Sequence, residues 1–524
     1  MKLRSDTMNF RHWTQVAIAG AVLLSVACGG EKPAGGVDGG GDKNRLVIGL
    51  KSSPSNLDPR VGNDNASGRI FDLCCRGLVR VTPEMDYAPD VAQSWETPDD
   101  RTIIFKLNPA AKFQDGKPVT AQDVKWTYDS LMAAGFASAK KSGYSSVERI
   151  EAADAQTVIF HLKEPNGGLF DNLTLGILPT GTNTADAKTK PVSTGPYRVV
   201  NFKTDESVEL EASEYWHLGV PKIKTVYVRV IPDATTLVLE MRRGSLNLEV
   251  NQIPFENVGE FEKSAKQQVV KKPGSVWQYL AFNLKDPMLS KVQVRRAIAH
   301  AIDREKIVRD LLRGHGVPTD TMFAQGHWAR AENLPTYPYD PARAKQLLDE
   351  AGYKDPDGAG PQPRFTLSFK TSQDAEANLR AQMIQQMLQE VGVKVNIQTS
   401  EFTTFLDEVS KGNFQMYSLS RNGIADPDFY YVIFHSKNVP PEGQNRGYYN
   451  SPKVDKLIAD GRATFDRNKR KVIYTEIQRT VQEDLPYISL YHQVNVAVMD
   501  KGLQGYTMYP AGFWLGVPQM SWAP

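Results

Sequence analysis

The sequence predicts an α/β protein of two lobes, each built around a mixed sheet, and three observations support this fold class. Strand-like and helix-like segments are mixed from Leu46 to the C-terminus, without internal repeats. They do not alternate strictly, which disfavours a simple doubly wound sheet. The length of 524 residues allows two to four domains, at roughly 100–200 residues each.

Residues 1–28 predict an export signal that precedes the folded part. Lys2, Arg4 and Arg11 give a weakly basic start, and an apolar run follows over residues 16–27. A membrane-spanning helix needs about 20 apolar residues, so this run is too short to span a bilayer comfortably. It fits the hydrophobic region of a signal peptide instead.

The end of this run, Leu24-Ser25-Val26-Ala27-Cys28, resembles the lipobox of bacterial lipoproteins, in which small residues precede a cysteine that becomes lipidated. The resemblance implies a lipid anchor on Cys28, although Ser25 stands where the lipobox usually has leucine. Ordinary cleavage nearby is the alternative. Residues 29–44 are rich in glycine and polar groups, so we expect a flexible tether between the membrane and the folded body.

Six segments of the body predict β-strands. Each is a short run of apolar or β-branched residues, and some alternate with polar ones. In chain order they are Leu46–Leu50, Thr102–Leu107, Thr157–Leu162, Val208–Leu210, Thr225–Val230 and Trp277–Asn283.

Four further segments predict α-helices, because each has a capping residue or an apolar face. They are residues 121–132 after Thr120, residues 292–302, residues 304–312 after Asp303, and the helix that begins at Asp340-Pro341 and ends at Gly352.

Charge and cysteine content limit the possible partners. The chain has 62 basic and 60 acidic residues and a net charge of +2. A nucleic-acid-binding protein usually carries a clustered basic excess, so no nucleic-acid partner is predicted. Apart from Cys28 the chain has only Cys74 and Cys75, which either form a vicinal disulfide or are two small buried apolar side chains.

The sequence contains no catalytic motif. It lacks GxSxG, HExxH and a Walker A motif, and its eight histidines are scattered. Acid pairs such as Asp426 and Asp428 could serve a glycosidase, but such pairs are common in loops. His435 is a candidate metal ligand, yet no convergent set of His, Cys and Asp accompanies it. We therefore predict a protein that is not an enzyme and that needs no metal or cofactor.

Five segments in a fixed order resemble bacterial solute-binding protein family 5 of ABC importers, which includes oligopeptide-, dipeptide- and nickel-binding proteins. The segments are VAQSWETPDDRTIIFKLNPAAKFQDGKPVTAQDVKWTYDSL (91–131), STGPY (193–197), YLAFN (279–283) with VQVRRAIAHAIDREKI (292–307), YDPARAKQLLDEAGY (339–353), and YNSPKVDKLI (449–458) with RKVIYTEIQRTVQEDLPYISLY (470–491).

The resemblance implies the two-lobed periplasmic-binding-protein fold (type II, cluster C), with mixed sheets and an extra inserted subdomain. Lobe I would comprise residues 45–81, 194–281 and 496–524, the inserted subdomain residues 82–193, and lobe II residues 282–495. Two chain crossings would join the lobes. Arg295, Arg296 and Asp303 would be surface and capping groups of the signature helix rather than ligand contacts.

The resemblance also implies a function. The protein would be a monomeric, extracytoplasmic binder that captures a peptide or peptide-like solute between its lobes and delivers it to a membrane permease. A separate ATPase subunit would supply the energy, because this chain has no Walker A motif. Alternatives on the same fold are a binder of an anionic solute, an oligosaccharide, a nickel chelate or haem, and a ligand sensor.

One loop departs from the pattern of peptide-binding relatives. Those relatives carry an Asp, four residues before a Pro, that pairs with the ammonium group of the peptide. Counting back from Pro427 places Gly423 at that position here. Arg421 and Asn422 lie just before it, so we expect the site to prefer a carboxylate or a phosphate to an ammonium.

Two alternatives for this loop remain open. Arg421 could form a salt bridge with Asp426 or Asp428, or a shift of the alignment could return the anchoring role to Asp426. Aromatic and polar side chains complete the predicted ligand site, because aromatic walls give a cleft rigid apolar area. These further candidates are Asn56, Trp277, Tyr279, Asn445, Arg446 and Tyr487.

Overall fold

The computed structural model describes residues 42–358, 360–440 and 443–524 of the chain. The predicted export signal, with its apolar run and Cys28, lies outside the described residues, as does most of the predicted tether. Within the described ranges no helix has both the length and the apolar character needed to cross a membrane.

The helices are distributed along the whole described chain. The α-helices are α1 (Asn65–Cys74), α2 (Ala121–Met132), α3 (Thr184–Ala187), α4 (Ala234–Arg243), α5 (Phe255–Glu262), α6 (Val292–Ala301), α7 (Arg304–Asp310), α8 (Pro341–Glu350), α9 (Ala375–Glu390), α10 (Phe402–Ser410), α11 (Phe429–Phe434), α12 (Pro452–Arg462) and α13 (Arg467–Asp484). Three 3₁₀ helices span Lys141–Tyr144, Gly167–Thr174 and Trp514–Gln519.

The strands vary from two residues to sixteen in length. They are β1 (Arg45–Leu50), β2 (Val79–Val81), β3 (Tyr87–Pro89), β4 (Ala92–Asp99), β5 (Thr102–Leu107), β6 (Val147–Ala152), β7 (Thr157–Leu162), β8 (Tyr197–Lys203), β9 (Ser207–Ala212), β10 (Thr225–Val230), β11 (Leu248–Val250), β12 (Gln267–Phe282), β13 (Gly316–Pro318), β14 (Phe365–Ser372), β15 (Val393–Ser400), β16 (Met416–Arg421), β17 (Tyr487–Asp500), β18 (Leu503–Gln504) and β19 (Ser521–Trp522).

Local signals explain why the predicted elements form where they do. The side chains of Thr120, Asp303 and Asp340 accept hydrogen bonds from main-chain N–H groups in the first turns of α2, α7 and α8, so the three predicted caps are confirmed. Such a cap contributes about 1 kcal/mol to helix stability. The six predicted strands are also confirmed, although the strand predicted from Trp277 begins earlier, at Gln267.

Eleven strands form one large mixed sheet, in the order β15-β14-β16-β12-β17-β11-β1-β10-β9-β8, with β13 paired to β17. Parallel pairing joins β1 to β10 and β11, and joins β14 to β15 and β16. We call the half with β1 and β8–β11 lobe I, and the half with β14–β16 lobe II. The two mixed sheets expected from the sequence are thus halves of one sheet, because β12 and β17 are long enough to run through both lobes.

The two crossings between the lobes are β12 and β17, and their pairing is irregular where the lobes join. The register shifts between Pro273 and Trp277, and again between Gln278 and Tyr279. Proline has no N–H to donate to the ladder. A Cβ atom on the adjacent Gly274 would lie 2.4 Å from the carbonyl oxygen of Gln493, so only glycine fits there.

A separate antiparallel sheet, in the order β4-β5-β7-β6, has its own apolar core with α2 and the 3₁₀ helix Gly167–Thr174. We call residues 92–174 the small-sheet region. It falls inside the segment that the sequence assigns to an inserted subdomain. It packs beside the cleft and contributes one wall of the site described below.

Two sequence expectations outside the site are decided by the structure. Cys74 and Cys75 are buried free thiols, so the vicinal disulfide is wrong and the alternative of two small buried side chains is right. Arg295 is not a surface group, because only 4% of it is exposed. Its guanidinium donates to the carbonyl oxygens of Leu289 and Leu485, at 2.6 and 3.0 Å, and thereby ties α6 to the end of α13.

Candidate functional site

A cavity of about 520 Å³ lies between the lobes, where three parts of the chain meet. We call it the central cavity. Helix α1 of lobe I, the small-sheet region and the segment that follows β16 in lobe II all contribute to its walls. The charged side chains that line it are Arg69, Asp72, Arg76, Arg80, Lys140, Asp171 and Arg421.

Direct contacts hold lobe II against the other parts of the protein around this cavity. Ala425 packs in a small apolar cluster with Val81 and Met85. Arg467, at the start of α13, forms an ion pair with Asp86. The structure is therefore an arrangement in which the lobes touch and enclose the central cavity between them.

A second cavity, of about 320 Å³, lies in lobe II, and we call it the aromatic pocket. The rings of Trp277 and Tyr279 stack at 4.4 Å between centroids, and those of Tyr279 and Tyr487 stack at 5.1 Å. Burial raises the pKa of Tyr279 and of Tyr487, so both phenols stay neutral and can donate hydrogen bonds. The structure thus brings the three predicted aromatic residues together, with Arg446 at the same pocket.

Arg421 lines both cavities. Its guanidinium lies over the ring of Phe429, 5.0 Å from the ring centroid, and its side chain is exposed. Within the described ranges it forms no ion pair. The alternative in which Arg421 pairs with Asp426 or Asp428 is therefore wrong, because other arginines hold those two acids.

Asp426 and Asp428 line neither cavity. Asp426 is buried, and its two oxygens accept hydrogen bonds from Arg470 at 2.7 and 2.9 Å. Asp428 pairs with Arg462 at 3.2 Å, and burial raises its pKa to about 7. The carboxylate of Asp426 is thus already engaged by Arg470, which removes the reason to return the anchoring role to it.

Asn422 lines a third cavity, and Gly423 lines the central cavity. The third cavity, of about 690 Å³, borders α5, α9 and the crossing strands. The Asn422 amide donates to the carbonyl oxygen of Ala511 at 3.0 Å, which links lobe II to the C-terminal segment. Gly423 has a φ of 69°, in the left-handed region that favours glycine, so its place in this loop has a structural reason.

Two predicted polar residues have local structural roles and line none of these three cavities. The Asn56 side chain accepts a hydrogen bond from the N–H of Asp58 at 2.8 Å. Asn445 is fully buried, and its amide both donates to and accepts from the main chain of Tyr449, at 2.7 and 3.0 Å. Both side chains stabilise the loops in which they lie.

Sequence reasoning missed Asp171, which lies on the 3₁₀ helix Gly167–Thr174 and is open to the central cavity. Its Oδ1 accepts a hydrogen bond from the Tyr87 hydroxyl at 2.9 Å. Partial desolvation by the neighbouring protein, together with the charge of Asp426, raises the pKa of Asp171 to about 6. A single acid in a short turn forms no sequence pattern, so no local signal could have identified it.

Other charged residues of lobe I also form the site without having been predicted. Asp72, on α1, accepts a hydrogen bond from the N–H of Trp514 at 2.7 Å, and burial raises its pKa to about 7. Arg69 lies one turn earlier and donates to the carbonyl oxygen of Val250 at 3.2 Å. In the part of the chain that the structure describes, no three His, Cys, Asp or Glu side chains are grouped as metal ligands would be.

Known proteins resemble this chain along almost its whole length. The oligopeptide-binding protein AppA of Bacillus subtilis is 28% identical over 522 residues, which cover 94% of each chain. Its structure in complex with a nonapeptide matches with a TM-score of 0.75 at 26% identity, over 92% of this chain and 99% of that one. The glutathione-binding protein GsiB of Pectobacterium atrosepticum is 28% identical over 480 residues, 88% of this chain and 91% of GsiB. NikZ of Campylobacter jejuni, in complex with Ni(L-His), has a TM-score of 0.76 at 25% identity, over 92% of this chain and 100% of that one.

A direct match to a family model shows the family of this chain. The model of the bacterial extracellular solute-binding proteins, family 5, matches residues 86–440, more than half of the chain. This family consists of substrate-binding proteins of ABC transporters, which are not enzymes. The chain belongs to the bacterial extracellular solute-binding proteins of family 5.

Proposed function

We propose that this protein captures a peptide or a peptide-like solute between its lobes and delivers it to the permease of an ABC importer. The observation that carries the proposal is that Arg421 lines two cavities of different character. The central cavity is lined by charged groups, and the aromatic pocket by stacked rings. A peptide has both kinds of group, since its main chain is polar and charged at the ends and its side chains are often apolar.

The sizes of the cavities support a ligand of this kind. Binding pockets for small molecules usually enclose about 300–1,000 Å³. The central cavity and the aromatic pocket, of about 520 and 320 Å³, together suit a short peptide rather than a single ion. Two similar proteins are named for binding an oligopeptide and glutathione, which is itself a peptide.

Closure of the lobes provides the mechanism of capture. A ligand that contacts both lobes favours the closed arrangement over an open one, because its affinity for the closed arrangement is higher. The permease then receives the closed, loaded protein. ATP hydrolysis by a separate subunit of the importer supplies the energy for transport.

The experiment that tests the proposal identifies the molecules that the purified protein carries. Protein is purified without denaturation, then unfolded, and the released small molecules are identified by mass spectrometry. We expect short peptides or peptide-like compounds. Released sugars, haem or nickel chelates, with no peptides, would overturn the peptide proposal and favour one of the other ligand classes.

A genetic experiment tests the transport role separately. Deletion of the gene should abolish uptake of the compounds identified by mass spectrometry. Unchanged uptake together with a lost response to these compounds would instead indicate a ligand sensor.

The proposal also includes the lipid anchor on Cys28, which would keep the folded body close to the permease. The Cys28→Ser variant should move from the membrane fraction to the soluble fraction. A variant that stays in the membrane fraction would contradict the anchor, and Cys74→Ser serves as the control because that thiol is buried in the folded body.

A further inference from the structure

Two side chains of opposite charge line the central cavity from different parts of the fold. Asp171 comes from the small-sheet region, and Arg421 comes from the end of β16 in lobe II. Among the residues that the structure describes, neither forms an ion pair with the other or with a third group. The charge of Arg421 nevertheless lowers the pKa of Asp171, so the two groups are within electrostatic range.

Both groups keep hydrogen-bonding capacity for a ligand. A carboxylate has two acceptor oxygens, and only Oδ1 of Asp171 accepts a protein hydrogen bond in the described part of the chain, from Tyr87. The Arg421 guanidinium has five N–H donors, and none of them donates a hydrogen bond to the described residues; its central carbon lies 5.0 Å from the centroid of the Phe429 ring. A guanidinium of this kind can hold a ligand carboxylate with two parallel hydrogen bonds.

Asp72, the other acid that lines the cavity, is less suited to hold a cation. It already accepts the N–H of Trp514, and the charges of Arg69 and Arg76 act on it. An incoming ammonium would meet the repulsion of both arginines there. Arg421 is the cation whose charge lowers the pKa of Asp171, and the second oxygen of Asp171 accepts no hydrogen bond from the described residues.

We propose that Asp171 binds the ammonium group of a zwitterionic ligand and that Arg421 binds a carboxylate of the same ligand. The ligand class is then a peptide-like solute with both a free amine and a free carboxylate. This inference rests on the proposed function and narrows it. It also changes the expectation drawn from Gly423, because a carboxylate from another part of the fold takes the place of the absent loop Asp.

The two positions couple binding to closure. Asp171 and Arg421 belong to parts of the protein that approach each other when the lobes close. A ligand with both charges bridges them, whereas a ligand with one blocked terminus interacts with only one side. Each charge should therefore contribute to affinity through the closed arrangement.

The test uses a defined pool of tripeptides in three forms: with free termini, N-acetylated, and C-amidated. Each form is incubated with purified protein, excess peptide is removed by gel filtration, and the retained peptides are quantified by mass spectrometry. We expect the unsubstituted protein to retain the free pool at least about tenfold better than either blocked pool, because a charge-assisted hydrogen-bonded contact to the ligand is lost in each.

The variants separate the two charges. Asp171→Asn should lose the preference for a free amine and keep the preference for a free carboxylate, and Arg421→Gln should do the reverse. Asp186→Asn is the matched control, since Asp186 is exposed in the same segment of the chain and does not line the cavity. Circular dichroism checks that each variant is folded.

The possible failures are distinguishable. If the unsubstituted protein retains peptides but Asp171→Asn keeps the full preference for a free amine, the role of Asp171 is overturned and the proposed function stands. If Arg421→Gln keeps the preference for a free carboxylate, the role of Arg421 is overturned in the same way. If no form of the pool is retained, the peptide proposal fails, and this inference fails with it.

Discussion

Asp171 must be ionised to hold an ammonium group, so its titration should appear in the binding of ligand. Enclosure by protein raises its pKa to about 6, and the charge of Asp426 adds to this effect. The hydrogen bond from Tyr87 and the charge of Arg421 act in the opposite direction. As the pH falls below about 6, a proton competes with the ammonium, and the association constant should fall by up to about tenfold per pH unit.

Calorimetric titration with the free tripeptide pool, from about pH 7.5 to about pH 5, measures this dependence. The Asp171→Asn variant should bind more weakly at the upper end and should lack the fall near pH 6. Asp72 lines the same cavity and has a pKa of about 7, so Asp72→Asn is the control and should keep the fall near pH 6. A fall that persists in Asp171→Asn would contradict the assignment.

Glu249 is the clearest case of a buried acid whose charge opposes folding. It is fully buried, its Oε2 has no hydrogen-bond partner among the described residues, and burial raises its pKa from 4.5 to about 8. Below pH 4.5 both the folded and the unfolded chain hold this proton. As the pH rises from 4.5 to about 8, the unfolded chain loses the proton first, so the free energy of unfolding decreases.

The Glu249→Gln variant should therefore be more stable than the unsubstituted protein at neutral pH, by about 1–2 kcal/mol, and equally stable near pH 4.5. The glutamine keeps an acceptor for the amide of Gln252, which donates to Oε1 at 3.0 Å. Urea denaturation at the two pH values measures the difference. A variant that is less stable at neutral pH would show that the carboxylate is paired in solution.

At the scale of the elements, Arg295 shows how a signature residue of a helix can hold another helix in place. Helix α13 ends at Asp484 and leaves carbonyl oxygens without helical partners. Arg295 of α6 donates to the carbonyl oxygens of Asp484 and Leu485 from a buried position. The residue after these, Pro486, leads directly into β17, so the contact also positions one of the crossings between the lobes.

We expect Arg295→Met to reduce the free energy of unfolding by about 2–4 kcal/mol, because several buried carbonyl groups lose a charged donor while the apolar volume is partly kept. The exposed Arg309→Met, on α7, should change it by less than about 0.5 kcal/mol. Thermal unfolding measures both. Equal effects of the two substitutions would show that the Arg295 contacts contribute little.

The elements that the sequence predicts correctly are those whose signals are local. The caps Thr120, Asp303 and Asp340 each lie next to the helix that they begin, so a short window of sequence contains the whole signal. By contrast, no short window of sequence contains the signal for the full length of β12. Its first half contains Pro273 and Gly274, which read as the end of a strand, and it continues only because β17 pairs with it from a distant part of the chain.

The residues of the site also differ in whether the sequence alone can identify them. Tyr279 and Tyr487 lie in segments that resemble the family, Trp277 lies two residues before the first of these, and the structure places all three around one pocket. Asp171 has no such context, and only the packing of the small-sheet region beside lobe II brings it to the same cavity as Arg421. Residues that act across a boundary between lobes are fixed by tertiary structure, which a single sequence does not encode in any local pattern.

At the scale of the whole molecule, the cleft is a boundary with few strong contacts. The ion pair of Arg467 with Asp86 is partly exposed, and Arg462 approaches Glu164 only to 4.0 Å. Exposed ion pairs contribute about 0–1 kcal/mol each. If the protein captures its ligand by closure, as proposed, such weak contacts would leave the balance between open and closed forms to depend on the ligand.

The Asp86→Asn variant should therefore favour the open form only in the absence of ligand. Small-angle X-ray scattering should give a larger radius of gyration for the ligand-free variant than for the ligand-free unsubstituted protein, because one contact across the cleft is lost. A saturating amount of the free tripeptide pool should contract both proteins to the same radius, since ligand contacts on both sides of the cleft exceed the loss of about 1 kcal/mol or less. Asp186→Asn, which lies away from the cleft contacts, should scatter like the unsubstituted protein in both conditions. If saturating peptide leaves the radius of the unsubstituted protein unchanged, closure is not the mechanism by which this protein captures its ligand.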